Sequence, residues 1–127
     1  MAIKVYKADS IKYEPAESLV SHLKGGFFGD ATTEEDNPWM AACMYKVIGP
    51  KKFEWTYEYD EIYYVVDGPV KVTCEGKTHI LNAGDIVSVR KGDTAIIEVE
   101  VCANMFCVTH PPFNEELCAA IKRRYPD

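Results

Sequence analysis

Nowhere in its 127 residues does this chain have an apolar run near the ~20 residues that a membrane-spanning helix needs. No membrane partner is expected. The first ten residues, MAIKVYKADS, alternate and are polar, unlike a signal peptide, so the expected location is the cytoplasm. Positive charge is not in excess either. The formal net charge is −6, whereas phosphate backbones are bound by basic surfaces, so nucleic acid is not an expected partner. A glycine-rich phosphate cradle of the Walker type is missing, as is a dinucleotide fingerprint. No Ser-His-Asp set follows from the spacing. The five cysteines, at 43, 74, 102, 107 and 118, include no CxxC pair and match no zinc spacing. They read as reduced cysteines packed as small apolar residues. Cys102 and Cys107 differ by five, which puts them on opposite faces of a strand.

Strand signals, by contrast, are plentiful, and they centre on Gly49 to Gly68, GPKKFEWTYEYDEIYYVVDG. Phe53, Trp55 and Tyr57 share one face, opposite Glu54, Thr56 and Glu58. After a break at Tyr59-Asp60, Glu61, Tyr63 and Val65 share a face of a second strand. A period of two with aromatic and β-branched residues is a strand signal. Gly68-Pro69 then forces a turn. A face that combines large aromatics with a carboxylate builds a pocket if it points inward.

The chain length and its 47% hydrophobic and 27% charged residues fit one globular domain, 1–127. Within it, 1–38 reads as an N-terminal strand and arm, 39–110 as a barrel core and 114–125 as a C-terminal helix. In the arm, Ile3 to Lys7 is expected as a strand and 14–24 as a helix. Leu19, Val20 and Leu23 have helical spacing there, and Gly25-Gly26 follows as a stop. Residues 25–38 read as a loop, with Phe27 and Phe28 as a plug on the barrel or a lid over its pocket. Strands are expected at 39–48, 53–58, 61–67, 69–75, 78–82, 85–90, 94–101 and 104–109. Glu75-Gly76-Lys77 and Asn82-Ala83-Gly84-Asp85 make tight links between them. Short strands at this regular spacing give an all-β antiparallel sandwich or barrel. In the C-terminal helix, Asn114 is the cap, Glu115 and Glu116 fill the first turn, and Lys122, Arg123 and Arg124 the last. Leu117 and Ile121 would pin it to the barrel.

The same stretch resembles the cupin barrels. Their first motif has Gly, five residues, His-x-His, three or four residues, Glu, six residues, Gly. Here Gly49, Trp55-Thr56-Tyr57, Glu61 and Gly68 keep that frame. The second motif has Gly, five residues, Pro-x-Gly, two residues, His, three residues, Asn. It appears here as Gly84, Arg90-Lys91-Gly92, Ala95 and Val99. The metal-binding histidines are thus replaced by Trp55, Tyr57 and Ala95. Among cupins, residues 54–92 are most similar to the EutQ-like domain of ethanolamine-utilization proteins. The resemblance implies a jelly-roll β-barrel with a short C-terminal helix, and commonly a homodimer, with the N-terminal strand available to pair with a partner. It also implies a place in ethanolamine catabolism associated with bacterial microcompartments, where an acetate-kinase-like phosphotransfer has been attached to the family.

Glu61 is the leading catalytic candidate. A carboxylate in an aromatic pocket has a raised pKa, so it could act as general acid or base, or bind a cation or a hydroxyl group. Alternatively, a hydrogen bond to Tyr57 or a backbone amide would make it a strut of the barrel mouth. Tyr57 and Tyr63 should point inward beside it and Tyr64 outward. Trp55, Phe53, Tyr45 and Ala95 complete the expected ligand-binding set, with Trp55 as a stacking wall or as filler where a metal would sit. Asp60 should face away from Glu61. Asp85 reads as structural. Lys51 and Lys52 read as surface charge, and Glu98 and Glu100 as a solvent face alternating with inward Ile97, Val99 and Val101. His22, His79 and His110 occupy no cupin ligand position. The expected protein therefore holds no metal and no other cofactor, and its partner is a small-molecule metabolite. It acts as a metal-independent enzyme, an isomerase or lyase or an acetate-kinase-like one, or as a non-catalytic binding or assembly module.

Overall fold

A computed structural model describes residues 3–127, which form ten strands and one α-helix. The strands are β1 Tyr13–Pro15, β2 Gly26–Asp30, β3 Ala41–Ile48, β4 Lys51–Thr56 and β5 Asp60–Asp67. They continue as β6 Val70–Cys74, β7 Lys77–Leu81, β8 Ile86–Val89, β9 Thr94–Val99 and β10 Cys102–His110, followed by the helix α1, Glu115–Arg124. One sheet has the order β1-β2-β3-β10-β5-β8 and the other β4-β9-β6-β7. The described strand pairs are antiparallel. This is the jelly-roll arrangement of a cupin, with the two sheets enclosing a single hydrophobic core. The expected strands from 39 onward all form, with ends displaced by a few residues at most. Among the described residues no helix is long and apolar enough to cross a membrane.

Alternation decides which side chains meet in the core. On β4, Phe53 and Trp55 are buried while Glu54 is exposed, and on β10 every second residue from Ala103 to Thr109 is buried. Cys107 is therefore inside and Cys102 outside, as their separation implies. The inward run of β9 ends at Val99, where the strand ends. Val101 lies beyond it and is 77% exposed, contrary to the expected inward face.

The N-terminal arm departs from expectation. Residues 3–7 form no strand, and 14–24 form no α-helix. Instead β1 is followed by two single 3₁₀ turns, Ala16–Ser18 and Ser21–Leu23, with Val20 extended between them. Ala16, Val20 and Leu23 are all buried, so their helix-like spacing is satisfied by a turn, an extended residue and a second turn. Residues 26–30, expected as loop, are strand β2, paired with β3. Gly26 and Gly29 serve close packing there. A Cβ on Gly26 would lie 2.8 Å from the Tyr45 hydroxyl, and one on Gly29 2.9 Å from Ile11.

Helix α1 forms where its capping pattern places it. The Asn114 side chain accepts from the Leu117 amide at 2.8 Å. Leu117 and Ile121 are buried. Beyond the helix, the Tyr125 hydroxyl accepts from the Thr56 amide at 2.8 Å, which ties the C-terminus to the end of β4.

Candidate functional site

The inward faces of β3, β4, β5 and β10 enclose a cavity with about 50 Å³ of room for the centres of water molecules. At roughly 10–15 Å³ per water on this measure, it takes about three to five waters or a ligand of similar size. Glu61, Tyr57, Tyr63, Trp55, Phe53 and Tyr45 all line it. The structure thus brings together the whole expected site except Ala95. Ala95 is buried but lines no part of the cavity, and it lies directly opposite Trp55 in the β4–β9 register. One of the core's three alanines thus stands beside its largest side chain, which leaves the indole its room.

The rings hold one another. The Trp55 indole N–H donates to the Tyr59 hydroxyl at 3.1 Å. Tyr59 meets Tyr57 edge-on at 5.6 Å between centroids, and Phe113 at 4.9 Å. Phe28 packs on Tyr45 at 5.2 Å. It belongs to β2 and is part of the cavity wall rather than a plug carried on a loop. Over Trp55, Tyr125 stacks at 4.9 Å with the planes 6° apart, and His22 stacks on Tyr125 at 4.2 Å.

Glu61 borders this cavity, so part of its surface faces that space while protein atoms enclose it. Burial pushes its carboxyl up to about 8 from 4.5, and the Cys107 thiol, within hydrogen-bonding reach, pulls weakly the other way. Burial, and next the Glu61 charge, push the phenols of Tyr57, Tyr59 and Tyr63 up as well, so they serve as neutral hydrogen-bonding groups. The Cys107 thiol is raised by its hydrogen bond with Cys43 and then by burial.

Cys107, Cys43 and Thr109 were not expected in the site, and Tyr59 was expected as a phenol near it but not among its catalytic or ligand-binding residues. Cys43 and Cys107 are cross-strand neighbours on β3 and β10, and Thr109 stands opposite Glu61. The signal for them is alternation, since Met105, Cys107 and Thr109 must share a face once Met105 is inside. Tyr59 lies in the link before β5, where alternation lapses, yet it is only 5% exposed.

Other residues fall outside the site. Asp60 is exposed and accepts from the Lys91 amide at 2.8 Å. Asp85 accepts from the Asn82 amide at 2.7 Å and secures its turn. Lys51 donates to the His22 carbonyl at 3.0 Å, and Lys52 is exposed. Glu98 pairs at 4.0 Å with Lys71, and His79 and His110 are exposed. Tyr64 points outward as expected.

A cupin barrel ordinarily supplies several imidazole nitrogens and a carboxylate to a metal. The donors at those positions here do not fit one. Trp55 has an N–H and no lone pair to coordinate, Ala95 has no donor, and the Tyr57 phenol is held neutral. Among the described residues no group of three or more His, Cys, Asp or Glu is placed to hold an ion.

Comparison with known proteins agrees with this architecture. The EutQ-like cupin domain family matches residues 43–103. The acetate kinase EutQ of Salmonella typhimurium is 35% identical over 92 residues, which is 72% of this chain and 39% of that protein. This chain thus spans well under half of that relative. The crystal structure of an ethanolamine-utilization protein Q from Salmonella typhimurium superposes with a TM-score of 0.73 at 30% identity, covering 86% of each chain. The Clostridium difficile EutQ structure gives 0.71 at 24% identity, over 87% of this chain and 85% of the other. Fold, motif frame and likeness agree: this chain belongs to the EutQ-like cupins.

Proposed function

We propose that this cupin binds a small metabolite in its barrel cavity without a metal, and serves a cytoplasmic, microcompartment-associated pathway of ethanolamine or related small-carbon catabolism. One observation carries this reading. Where a cupin would place imidazoles, the chain places rings around a cavity whose lining includes a single carboxyl, Glu61. A buried polar group kept without a strong partner is costly, which supports a role beyond packing. Any proton transfer at neutral pH starts with Glu61 as the acid, because burial keeps its proton in place.

The acetate-kinase activity named for the relatives has less support here. Phosphoryl transfer gathers negative charge and needs cations around it. Among the described residues, those lining the cavity include no Lys, Arg or His. Two measurements test the proposal. Elemental analysis of untagged protein should find far less than one metal ion per chain, and Glu61→Gln should lose ligand binding or activity while keeping its circular dichroism. A stoichiometric metal that a chelator removes and Glu61→Ala depletes would sink the metal-free reading.

A further inference from the structure

We propose that the cavity is a site for a small organic cation, an alkylammonium of about three to five heavy atoms, held among aromatic rings with its charge on Glu61. The inference rests on the reading of the cavity as a ligand site and adds the class of ligand. Three features of the lining support it.

The first is the wall itself. Eight aromatic side chains line the cavity. Ring faces carry negative potential and attract a cation within about 6 Å of their centroids, most strongly when both are out of water. The second is the charge balance. Among the described residues, Glu61 is the one cavity-lining side chain that can carry charge near neutral pH without a cationic partner in the lining. A buried carboxylate in that position is either protonated or awaiting a counter-ion. An anionic ligand would meet it with repulsion. The third is the supply of neutral groups around it. Thr109 lies directly opposite Glu61, and the Tyr57 and Tyr63 phenols stay protonated, so they are hydrogen-bonding groups that leave the cation's charge uncontested.

Binding and titration are then linked. Glu61 holds its proton up to a pH of about 8, so a cation that needs the carboxylate must displace that proton. Tyr63 from β5, Cys107 from β10, Cys43 and Tyr45 from β3, and Tyr57 and Tyr59 from the link after β4 are the titratable groups that face the site. Burial or hydrogen bonding pushes the four phenols and the Cys107 thiol upward, so their own charge changes lie at higher pH than that of Glu61. Cys43 is controlled by substitution.

Tetramethylammonium is the decisive probe, because its own charge is independent of pH. Ethylammonium is the smaller companion, and tert-butanol and acetate are the neutral and anionic controls. Each is titrated into the full chain by calorimetry and by NMR of the Trp55 indole N–H. The cations should bind and the controls should not. The apparent Kd for tetramethylammonium should fall about tenfold from pH 7 to pH 9, in proportion to the carboxylate fraction, and level off above. At pH 7 calorimetry in buffers of different ionisation enthalpy should detect about one proton released per cation bound. Cys43→Ser tests the thiol's share: a pH dependence that disappears with Cys43 would overturn the role of Glu61. Glu61→Gln should weaken binding about thirtyfold or more and abolish the pH dependence. If that variant does not fold, the pH profile and proton release of the parent still decide. Binding of acetate or tert-butanol in the cavity without the cations overturns the cation inference and leaves the ligand site standing. Cation binding that is flat in pH overturns the role of Glu61. Failure of all four probes to reach Trp55 overturns both.

Discussion

Glu61 works against the fold over much of the neutral range. An unfolded chain releases the proton of a glutamate near 4.5, whereas in the folded barrel the carboxyl keeps it to about 8. Between those values the native state binds more protons than the unfolded one. Stability contributed through this group therefore falls as pH rises from about 4.5 to about 8, and is level beyond. The loss approaches roughly 5 kcal/mol at most, at about 1.4 kcal/mol for each tenfold change in proton affinity. Glu61→Gln keeps the shape and removes the titration. It should be about as stable as the parent at pH 4.5 and more stable by a few kcal/mol at pH 8, in urea melts at the two values. An equal gap at both pH values would mean that the carboxylate is accommodated in the barrel after all. Glu61, Tyr57, Tyr63, Trp55, Phe53 and Tyr45 were legible as one site because period-two alternation carries them to one side. Cys107 was not legible as part of it. Alternation turns it inward, but a lone cysteine in a strand is indistinguishable by pattern from a small apolar residue, and the register of β5 on β10, which sets it opposite Tyr63, is what brings it next to Glu61.

Among the elements, those whose signals are local were readable. The helix α1 carries its own cap and charge pattern, and the strands from β3 to β10 alternate between turn residues. The strand β2 was hidden because its glycines look like loop residues, while their use is to admit the rings of Tyr45 and Tyr13. The arm before it has helical spacing but a proline at 15 and an extended Val20, which break it into separate turns. These outer elements converge on Trp55. Tyr125 stacks on its indole and accepts from the Thr56 amide, and His22 packs against both rings, 4.2 Å from Tyr125 and 6.1 Å from Trp55 between centroids. Tyr125→Ala removes both the stack and the acceptor and should cost about 2–3 kcal/mol in urea denaturation. Tyr125→Phe keeps the stack and should cost about 1 kcal/mol. Equal losses for the two variants would assign the clasp to the hydroxyl and not to the rings.

For the molecule as a whole, the outer face of the six-stranded sheet is unusually apolar. Phe106, Tyr64 and Ile86 stand in register across β10, β5 and β8, and Ile86 is 68% exposed. Ile62 and Val66 flank Tyr64 on the same face of β5, and both are exposed. A contiguous apolar row across three strands is uncommon on a solvated surface and suits one that another protein covers. We propose a second copy of this chain as that partner. One patch laid on its own counterpart makes a closed two-fold dimer, and packing at β8 would also shelter an edge of the sheet. Light scattering at micromolar concentration should therefore give a mass near twice 14.3 kDa. The double variant Tyr64→Glu with Ile86→Glu should give a monomer with unchanged circular dichroism, because two like charges per copy would face each other across the two-fold axis. A parent protein that scatters as a monomer would sink the dimer. If the double variant remains dimeric, the chains associate through another surface, and deletion of residues 1–7 then tests whether the arm supplies it.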